Sequence, residues 1–176
     1  MHRIALLLLL GNLAFAQDSS KKPHTLREIL LEQMHLSHDQ KDWYVPVNVA
    51  VDGVTAEQAK WTDGHGNHSI GQLVNHLAFW NAWALERFKD EKAAPYTGTN
   101  DETFNSFDSK SWSATVARFD SVMKAWEKAI QDADDSKIQA TAPQIARLGT
   151  HNAYHVGQII YIRRLQGSWN PENGVK

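Results

Sequence analysis

The sequence predicts an all-α fold, a four-helix bundle with long connections after its first and second helices. Apolar residues recur at helical spacing in four long segments, and helix-starting hydroxyl residues precede several of them. No segment alternates apolar and polar residues as a half-buried strand does. Four amphipathic helices of about 20 residues can bury one shared core, and a chain of 176 residues suits a single such domain.

The first predicted helix runs from about Leu26 to Tyr44. Thr25 and Glu28 have the spacing of a capping box, in which each side chain accepts a hydrogen bond from the backbone N–H of the other residue. Pro46 is expected to end or kink this helix, because proline lacks the N–H that would bond to the previous turn.

The second predicted helix starts at Ser69, where Ser69 and Gln72 form another capping box, and reaches about Lys92. The segment before it is predicted to be a loop with one short helical turn, which a capping box at Thr55 begins. The inward face of the second helix is expected to carry Leu73, His76, Phe79, Trp80 and Trp83.

The second half of the chain predicts two further helices after a polar connection at 95–110. The third helix spans about Trp112 to Ala133. The fourth spans about Ala142 to Gln166, with a capping box begun by Thr141 and with Gly167 just past its end.

The first 16 residues have the three parts of a secretory signal peptide. Arg3 supplies the basic part, residues 4–10 form an apolar run, and Ala14-Phe15-Ala16 precedes polar sequence. We expect cleavage after Ala16 and export of the mature chain to the periplasm or the medium. An uncleaved N-terminal anchor is the alternative. No later segment could span a bilayer, so the mature chain is expected to have no integral membrane domain.

The composition of the chain excludes several kinds of partner and site. The net charge of −2 gives no basic surface for nucleic acid, so we expect no nucleic-acid partner. The absence of cysteine excludes disulfides, thiolate metal sites and a protein thiol nucleophile. Residues 17–24 form a predicted flexible lead-in, 25–170 the helical domain and 171–176 a C-terminal tail.

Three histidines are the candidate functional residues. His151 and His155 are four residues apart, so they project from one face of the fourth helix, on an apolar stripe where polar groups are costly unless bonded. His76 lies on the apolar face of the second helix, and a bundle can bring the two faces together. Three imidazoles with an open position form a catalytic type of metal site. The alternative is that each histidine simply bonds to a neighbour in the core. Gln158, one turn beyond His155, could hydrogen-bond a ligand or substrate, and the alternative is a polar residue at a contact between two helices.

The other titratable residues of interest are predicted to lie at the surface or at the edge of a site. His68 precedes the second helix and is expected to be solvated or to line the mouth of a site. His35 and His38 fall off the main apolar stripe of the first helix and are expected on the surface. Asp120 and Glu127 are expected to be solvated charges, so no general base can be assigned.

Several enzyme classes lack their motifs. A zincin peptidase needs His-Glu-x-x-His, and the segment "HNAYH" has Asn152 where the glutamate base would stand. The chain also has neither a glycine-rich phosphate loop nor a Gly-x-Ser-x-Gly nucleophile elbow. A standard metallopeptidase, a P-loop enzyme and an α/β-hydrolase are therefore not expected.

Two segments resemble the DinB-like family of four-helix-bundle proteins. "SIGQLVNHLAFWNAWALERF" is similar to the family's second helix with its internal histidine. "LGTHNAYHVGQIIYIRRLQG" is similar to its closing helix, with the pattern His-x-x-x-His-x-Gly-Gln-Ile. The upstream segment "VTAEQAKW" also resembles the stretch before helix two, and the resemblance extends over residues 26–167.

The resemblance implies a divalent metal ion held by His76, His151 and His155. Zinc is the first expectation, with nickel and iron as alternatives, and similar proteins are commonly homodimers. Some relatives are transferases or isomerases that use low-molecular-weight thiols. We therefore predict a secreted metal protein, a hydrolase or transferase that acts on a small molecule through water or thiol activation at the metal. The alternatives are a non-catalytic, metal-stabilised dimeric helical protein and a metal-free helical dimer.

Overall fold

The computed structural model describes residues 24–174, and every regular element among them is helical. The all-α prediction is confirmed. The predicted signal peptide at 1–16 lies outside the described residues, as do 17–23 and 175–176. No helix within 24–174 is long and apolar enough to cross a membrane. The α-helices are α1 (Leu26–His38), α2 (Val47–Val51), α3 (Ala56–Lys60), α4 (Ile70–Lys89), α5 (Asn100–Asn105), α6 (Trp112–Asp132) and α7 (Asp135–Leu165), with 3-10 turns at Ser109–Ser111 and Pro171–Asn173.

Four of these helices are long, namely α1, α4, α6 and α7, with 13, 20, 21 and 31 residues. Both α1 and α4 pack against α6 and α7. Each long helix contributes side chains that are almost completely removed from water, for example Met34, Leu77, Phe119 and Ile159. Burial of this shared apolar core sets how each helix is rotated, and it thereby decides which polar side chains point inward.

Several helix ends lie where the local sequence predicts them. The capping boxes at Thr25, Thr55 and Ser69 are all present, with both reciprocal hydrogen bonds. Gly167 follows the end of α7 with a positive φ of 67°, as expected for the residue that ends a helix. The second predicted helix corresponds to α4, which ends at Lys89 rather than at Lys92.

The predicted extension of the first helix to Tyr44 is wrong, because α1 ends at His38. The backbone N–H groups of residues 39 and 40 both bond to the carbonyl of His35, which closes the helix. Residues 39–43 are all exposed, and Trp43 is 94% exposed, so this segment has no face to bury. Pro46 instead stands immediately before α2.

The predicted start of the fourth helix at Ala142 is also wrong. α7 begins seven residues earlier at Asp135, where the Asp134 side chain accepts a hydrogen bond from the Lys137 N–H. Thr141 is no cap: its hydroxyl donates to the Lys137 carbonyl inside the helix, at 2.7 Å. The helix continues through Pro143 although proline lacks a backbone N–H, because packing against the rest of the protein outweighs the one lost hydrogen bond.

The connection at 95–110 is more than a loop, since it contains α5 and a 3-10 turn. α5 packs on α4 and buries the side chains of Thr103 and Phe104. A helix of six residues is too short to show an apolar period in the sequence. This short helix brings side chains to the inner face of α4 where His76 lies.

The predicted surface position of His38 is wrong, because its side chain is completely buried. Nδ1 lies 2.8 Å from a carboxylate oxygen of Glu127, and Nε2 lies 3.0 Å from one of Asp120. Glu127 is only 14% exposed, so it is not the solvated charge expected. Both ring nitrogens of the buried His38 therefore lie within hydrogen-bond distance of a carboxylate oxygen. These two contacts join α1 to α6.

Asp120 is expected to make the stability of the protein acid-sensitive. Hydrogen bonds from Lys124, His38 and Asn48 lower the pKa of Asp120 from 3.8 to about 2, against the opposing effect of desolvation. A carboxyl group whose pKa is lower in the folded than in the unfolded chain stabilises the fold at pH values above the unfolded pKa. This contribution is lost as pH falls from about 4 to 2. Asp120→Asn should therefore lower the free energy of unfolding by about 1–2 kcal/mol at pH 7 and by much less at pH 2.5, measured by urea unfolding.

The exposed pair of Asp132 and Lys128, one turn apart on α6, supplies the control. Asp132→Asn should change the free energy of unfolding by less than about 0.5 kcal/mol at either pH. Equal effects of Asp120→Asn and Asp132→Asn would show that the contacts of Asp120 add no stability. An Asp120→Asn effect that does not depend on pH would show that the ionised carboxylate is not the source of the stabilisation.

Candidate metal centre

The structure brings together the three histidines that the sequence singles out. His76 projects from α4, and His151 and His155 project from α7. The Nε2 atom of His151 lies 3.1 Å from the Nε2 atom of His76 and 3.1 Å from that of His155. Three nitrogens bound to one tetrahedral zinc ion at 2.0–2.1 Å stand about 3.3 Å apart. The three side chains therefore have the spacing of ligands to one ion.

Hydrogen bonds on the far side of two rings fix which nitrogen faces the centre. The Thr103 hydroxyl donates to the Asn100 carbonyl at 2.6 Å, so its oxygen accepts the proton of His76 Nδ1, also at 2.6 Å. The carboxamide oxygen of Gln158 accepts from His155 Nδ1 at 2.6 Å. With Nδ1 protonated, the Nε2 atoms of His76 and His155 present lone pairs to the centre.

This arrangement fits a cation. His151 Nε2 can carry at most one proton, and that proton can be donated to only one of the two neighbouring lone pairs. Protons alone therefore leave at least one close N···N contact of 3.1 Å without a hydrogen atom between the two nitrogens. A divalent metal ion satisfies all three nitrogens at once, which is the chemistry expected of a three-imidazole donor set.

Burial keeps the three imidazoles neutral. Desolvation, and then repulsion from neighbouring histidines, lowers the pKa of His76 from 6.5 to about 3. The same causes lower the pKa of His151 to about 4, and desolvation lowers that of His155. Neutral imidazole is the form that binds a metal ion, so the three side chains are in the metal-binding protonation state at pH 7.

The metal-free protein is expected to lose stability as pH falls below about 6.5. The lowered folded-state pKa values of His76 and His151 mean that the unfolded chain binds protons that the native chain does not. Stability then rises with pH across the window from about 4 to 6.5. Urea unfolding of chelator-treated protein at pH 7.5, 6.5 and 5.5 checks this, and a free energy of unfolding that is flat or rises toward low pH would contradict it.

Aromatic rings enclose the centre on the α5 side. The Phe104 ring stacks on His76 with the centroids 3.8 Å apart and an interplanar angle of 9°. It also stacks on His68 at 3.8 Å. His68 is exposed, as expected of a loop histidine, but its ring is held in place by this contact. Phe104 was not predicted to belong to the site, because α5 is too short for a sequence signal.

Asn152 does not face the candidate metal centre. Its side chain is completely buried and accepts a hydrogen bond from the Asn81 side-chain amide at 2.8 Å. The Asn81 amide also donates to the Leu77 carbonyl. The residue at the zincin glutamate position therefore links α7 to α4 in the core, on a different side of the helix from His151 and His155. This pair of buried asparagines was not anticipated from the sequence.

Two pockets flank the histidines. One of about 490 Å³ ends at His151 and includes Trp80 and Trp83 in its walls. The other, of about 510 Å³, includes His68 and Gln158. Both volumes are in the range of small-molecule sites. The first pocket therefore borders the centre at His151, and the second borders Gln158, whose carboxamide accepts from His155.

Removal of the Thr103 hydroxyl is expected to weaken metal binding without removing a ligand. Thr103→Val keeps the side-chain shape but leaves His76 Nδ1 without its acceptor. We expect zinc affinity to fall by about 10- to 100-fold, measured by competition with a chromophoric chelator. Thr103→Ser is the matched control and should stay near the wild-type value. Equal affinities of the valine and serine variants would show that the hydroxyl does not orient the ligand.

Comparison with known proteins places the chain in a family. The sequence model of the DinB superfamily matches residues 47–161, which include His76, His151 and His155. Searches of curated proteins and of solved structures gave no match. The matched segment is well over half of the chain and contains the whole candidate centre. The protein belongs to the DinB superfamily.

Proposed function

We propose that the protein binds one divalent metal ion through the Nε2 atoms of His76, His151 and His155, and that it is a metal-dependent hydrolase or transferase acting on a small molecule. Zinc is the first candidate ion, with nickel and iron as alternatives. The observation that carries the proposal is the grouping of three imidazole nitrogens, in which His151 Nε2 lies 3.1 Å from the Nε2 atoms of both His76 and His155. Those two partners are fixed as lone-pair donors.

Residues around the three histidines would support metal binding in two ways, by orienting the rings and by excluding water. Thr103 and Gln158 hold the rings of His76 and His155 in the metal-binding tautomer. Phe104 covers the His76 ring and keeps water from that side. A divalent ion held here would supply Lewis-acid chemistry, which lowers the pKa of a coordinated water or thiol and so needs no protein nucleophile.

Catalysis is favoured over a purely structural ion by the number of ligands. Structural zinc sites use four protein ligands, whereas catalytic sites use three and leave a position for substrate. Within residues 24–174, the group of ligand atoms at this centre consists of the three histidines. His151 also borders a pocket of about 490 Å³. A non-catalytic ion that stabilises a helical dimer is the alternative.

We also propose that the four long helices form a four-helix bundle and that the protein is exported after cleavage at Ala16. The packing of α1 and α4 against α6 and α7 supports the bundle. The basic, apolar and small-residue parts of the first 16 residues support export. N-terminal sequencing of the protein secreted by its own host tests the cleavage site, and a mature chain that starts at Met1 would contradict it.

A homodimer is the further part of the proposal. Tyr161 and Leu165 lie one turn apart on α7 and are 64% and 51% exposed, and Trp61 is 38% exposed. Together they line one rim of the pocket beside Gln158. Exposed apolar residues in one patch are typical of an interaction surface. Sedimentation velocity of untagged protein should give twice the chain mass, and a monomer at all concentrations would contradict the dimer.

The function is tested on untagged protein with a measured metal content. Zinc-, nickel- and iron-loaded samples are assayed against ester, amide and thiol-conjugate panels, with the His151→Ala variant as the control. We expect turnover that depends on both the metal and His151. Stoichiometric metal without turnover on any panel would favour the non-catalytic alternative, and protein that binds no metal would refute both.

A further inference from the structure

The pocket that ends at His151 has an unusual charge for this chain. Its charged lining residues are Arg87 on α4 and Arg147 on α7, apart from the histidine itself, and no lining residue is acidic. The chain as a whole has a net charge of −2. Two cations in one small pocket of an acidic protein indicate a negatively charged ligand.

The two guanidinium groups are available to a ligand. Arg87 donates one hydrogen bond to the Ala93 carbonyl at 2.8 Å and lies over the Trp83 ring at 5.1 Å. Arg147 donates from Nε to the Pro143 carbonyl at 3.0 Å. Among the described residues neither takes part in an ion pair. Each guanidinium has five N–H donors, so most of them remain free for an anion.

Aromatic rings form much of the apolar part of the pocket wall. Three indole rings line it, those of Trp80, Trp83 and Trp126. Trp80 donates to the Asn100 side chain at 3.2 Å and Trp126 to the Asn81 carbonyl at 2.9 Å, which fixes both rings. Fixed indole rings in the wall favour a planar apolar body packed against them.

The helices set the distance between the charge and the candidate metal centre. Arg147 precedes His151 by four residues, about 6 Å along α7. Arg87 follows His76 by 11 residues, about 16 Å along α4. Arg147 is the nearer of the two at the backbone, so a ligand of one or two aromatic rings with its anionic group at Arg147 could reach His151 with its other end.

We propose that this pocket binds a small organic anion, a carboxylate or a similar group on a planar aromatic body. Arg87 and Arg147 bind the anionic group, and the indoles hold the ring with its far end at His151. The inference rests on the proposed function for the role of that far end, where the reacting group would meet the metal. The binding preference itself belongs to the arginines and the tryptophans.

The test compares 2-naphthoate with its neutral isostere 2-naphthamide, using calorimetry on the full mature chain as purified and again after chelation. We expect naphthoate to bind at least about ten-fold more tightly in both samples, since two guanidinium contacts separate the ligands. The Arg87→Gln/Arg147→Gln double variant should bind both ligands equally. Lys89→Gln removes a charge from the end of α4, outside the pocket, and should keep the wild-type preference.

Arg147 is exposed, so Arg147→Gln alone should fold normally and lose part of the preference, about three-fold. Equal binding of the two ligands to the wild-type chain would overturn the inference. So would a preference that survives in the double variant, or one that chelation abolishes, since the metal would then be the anion site. Absence of metal from untagged protein would refute the proposed function, yet it would leave the arginine-dependent preference intact, so the two failures are distinguishable.

Discussion

Replacement of His76, His151 or His155 with alanine is expected to lower the zinc affinity by more than about 100-fold, because loss of a direct ligand should cost more than loss of an outer-shell partner. Among the described residues the group holds three histidines, and their ligand atoms all lie within 4.8 Å of one another. The wild-type chain should also gain thermal stability with added zinc, since a ligand that binds only the native state stabilises it. Each variant should lose that gain.

Competition with a chromophoric chelator measures the affinity, and differential scanning calorimetry with and without zinc measures the stabilisation. His65→Ala is the matched control, because His65 is an exposed loop histidine of the same chain. It should leave both measurements unchanged. A His76→Ala, His151→Ala or His155→Ala variant with the wild-type affinity would show that the three side chains do not share an ion.

Asn152→Asp is expected to destabilise the native state by about 3–5 kcal/mol at pH 7, the cost of a buried charge that has no counter-ion. The substitution changes no side-chain shape. The carboxylate would keep one donor from Asn81, but its second oxygen would face the Asn81 carboxamide oxygen that now accepts from the Asn152 amide at 3.3 Å. Asn152 is completely buried, so water cannot solvate the charge.

Urea unfolding measures this difference. Asn170→Asp is the matched control, because Asn170 is exposed and an aspartate can still accept from the Glu172 N–H. It should change the free energy of unfolding by less than about 0.5 kcal/mol. An Asn152→Asp loss no larger than that of Asn170→Asp would contradict the buried asparagine pair. The same pair joins α4 to α7, so the Asn152→Asp variant should also bind zinc more weakly.

The sequence singled out the three histidines of the candidate centre because they lie on long helices. His76, His151 and His155 stand on strongly periodic apolar faces, and a polar residue on such a face is conspicuous. The residues that hydrogen-bond to these histidines were harder to find. Thr103 comes from α5, six residues long, and nothing local shows that its hydroxyl meets a histidine 27 residues earlier. Contacts between distant short elements leave no periodic signal.

The errors at Thr141 and His38 also come from contacts that the local sequence does not show. A Thr-x-x-Gln pattern predicts a helix start at Thr141, but the threonine hydroxyl bonds inside an existing helix. His38 falls beside the main apolar stripe of α1, and only the packing of α6 supplies the carboxylates that allow it to be buried. Capping and burial depend on partners from elsewhere in the chain, which one segment cannot show.

An anomalous difference map at the zinc absorption edge, from crystals of the untagged chain grown with zinc, tests the proposed three-histidine site most directly. We expect one strong peak per chain, about 2.0–2.1 Å from the Nε2 atoms of His76, His151 and His155. A second cluster within the described residues, His35, Asp39 and Glu127, offers the competing position. A peak there with none at the three histidines, or no peak at all, would contradict the proposed site.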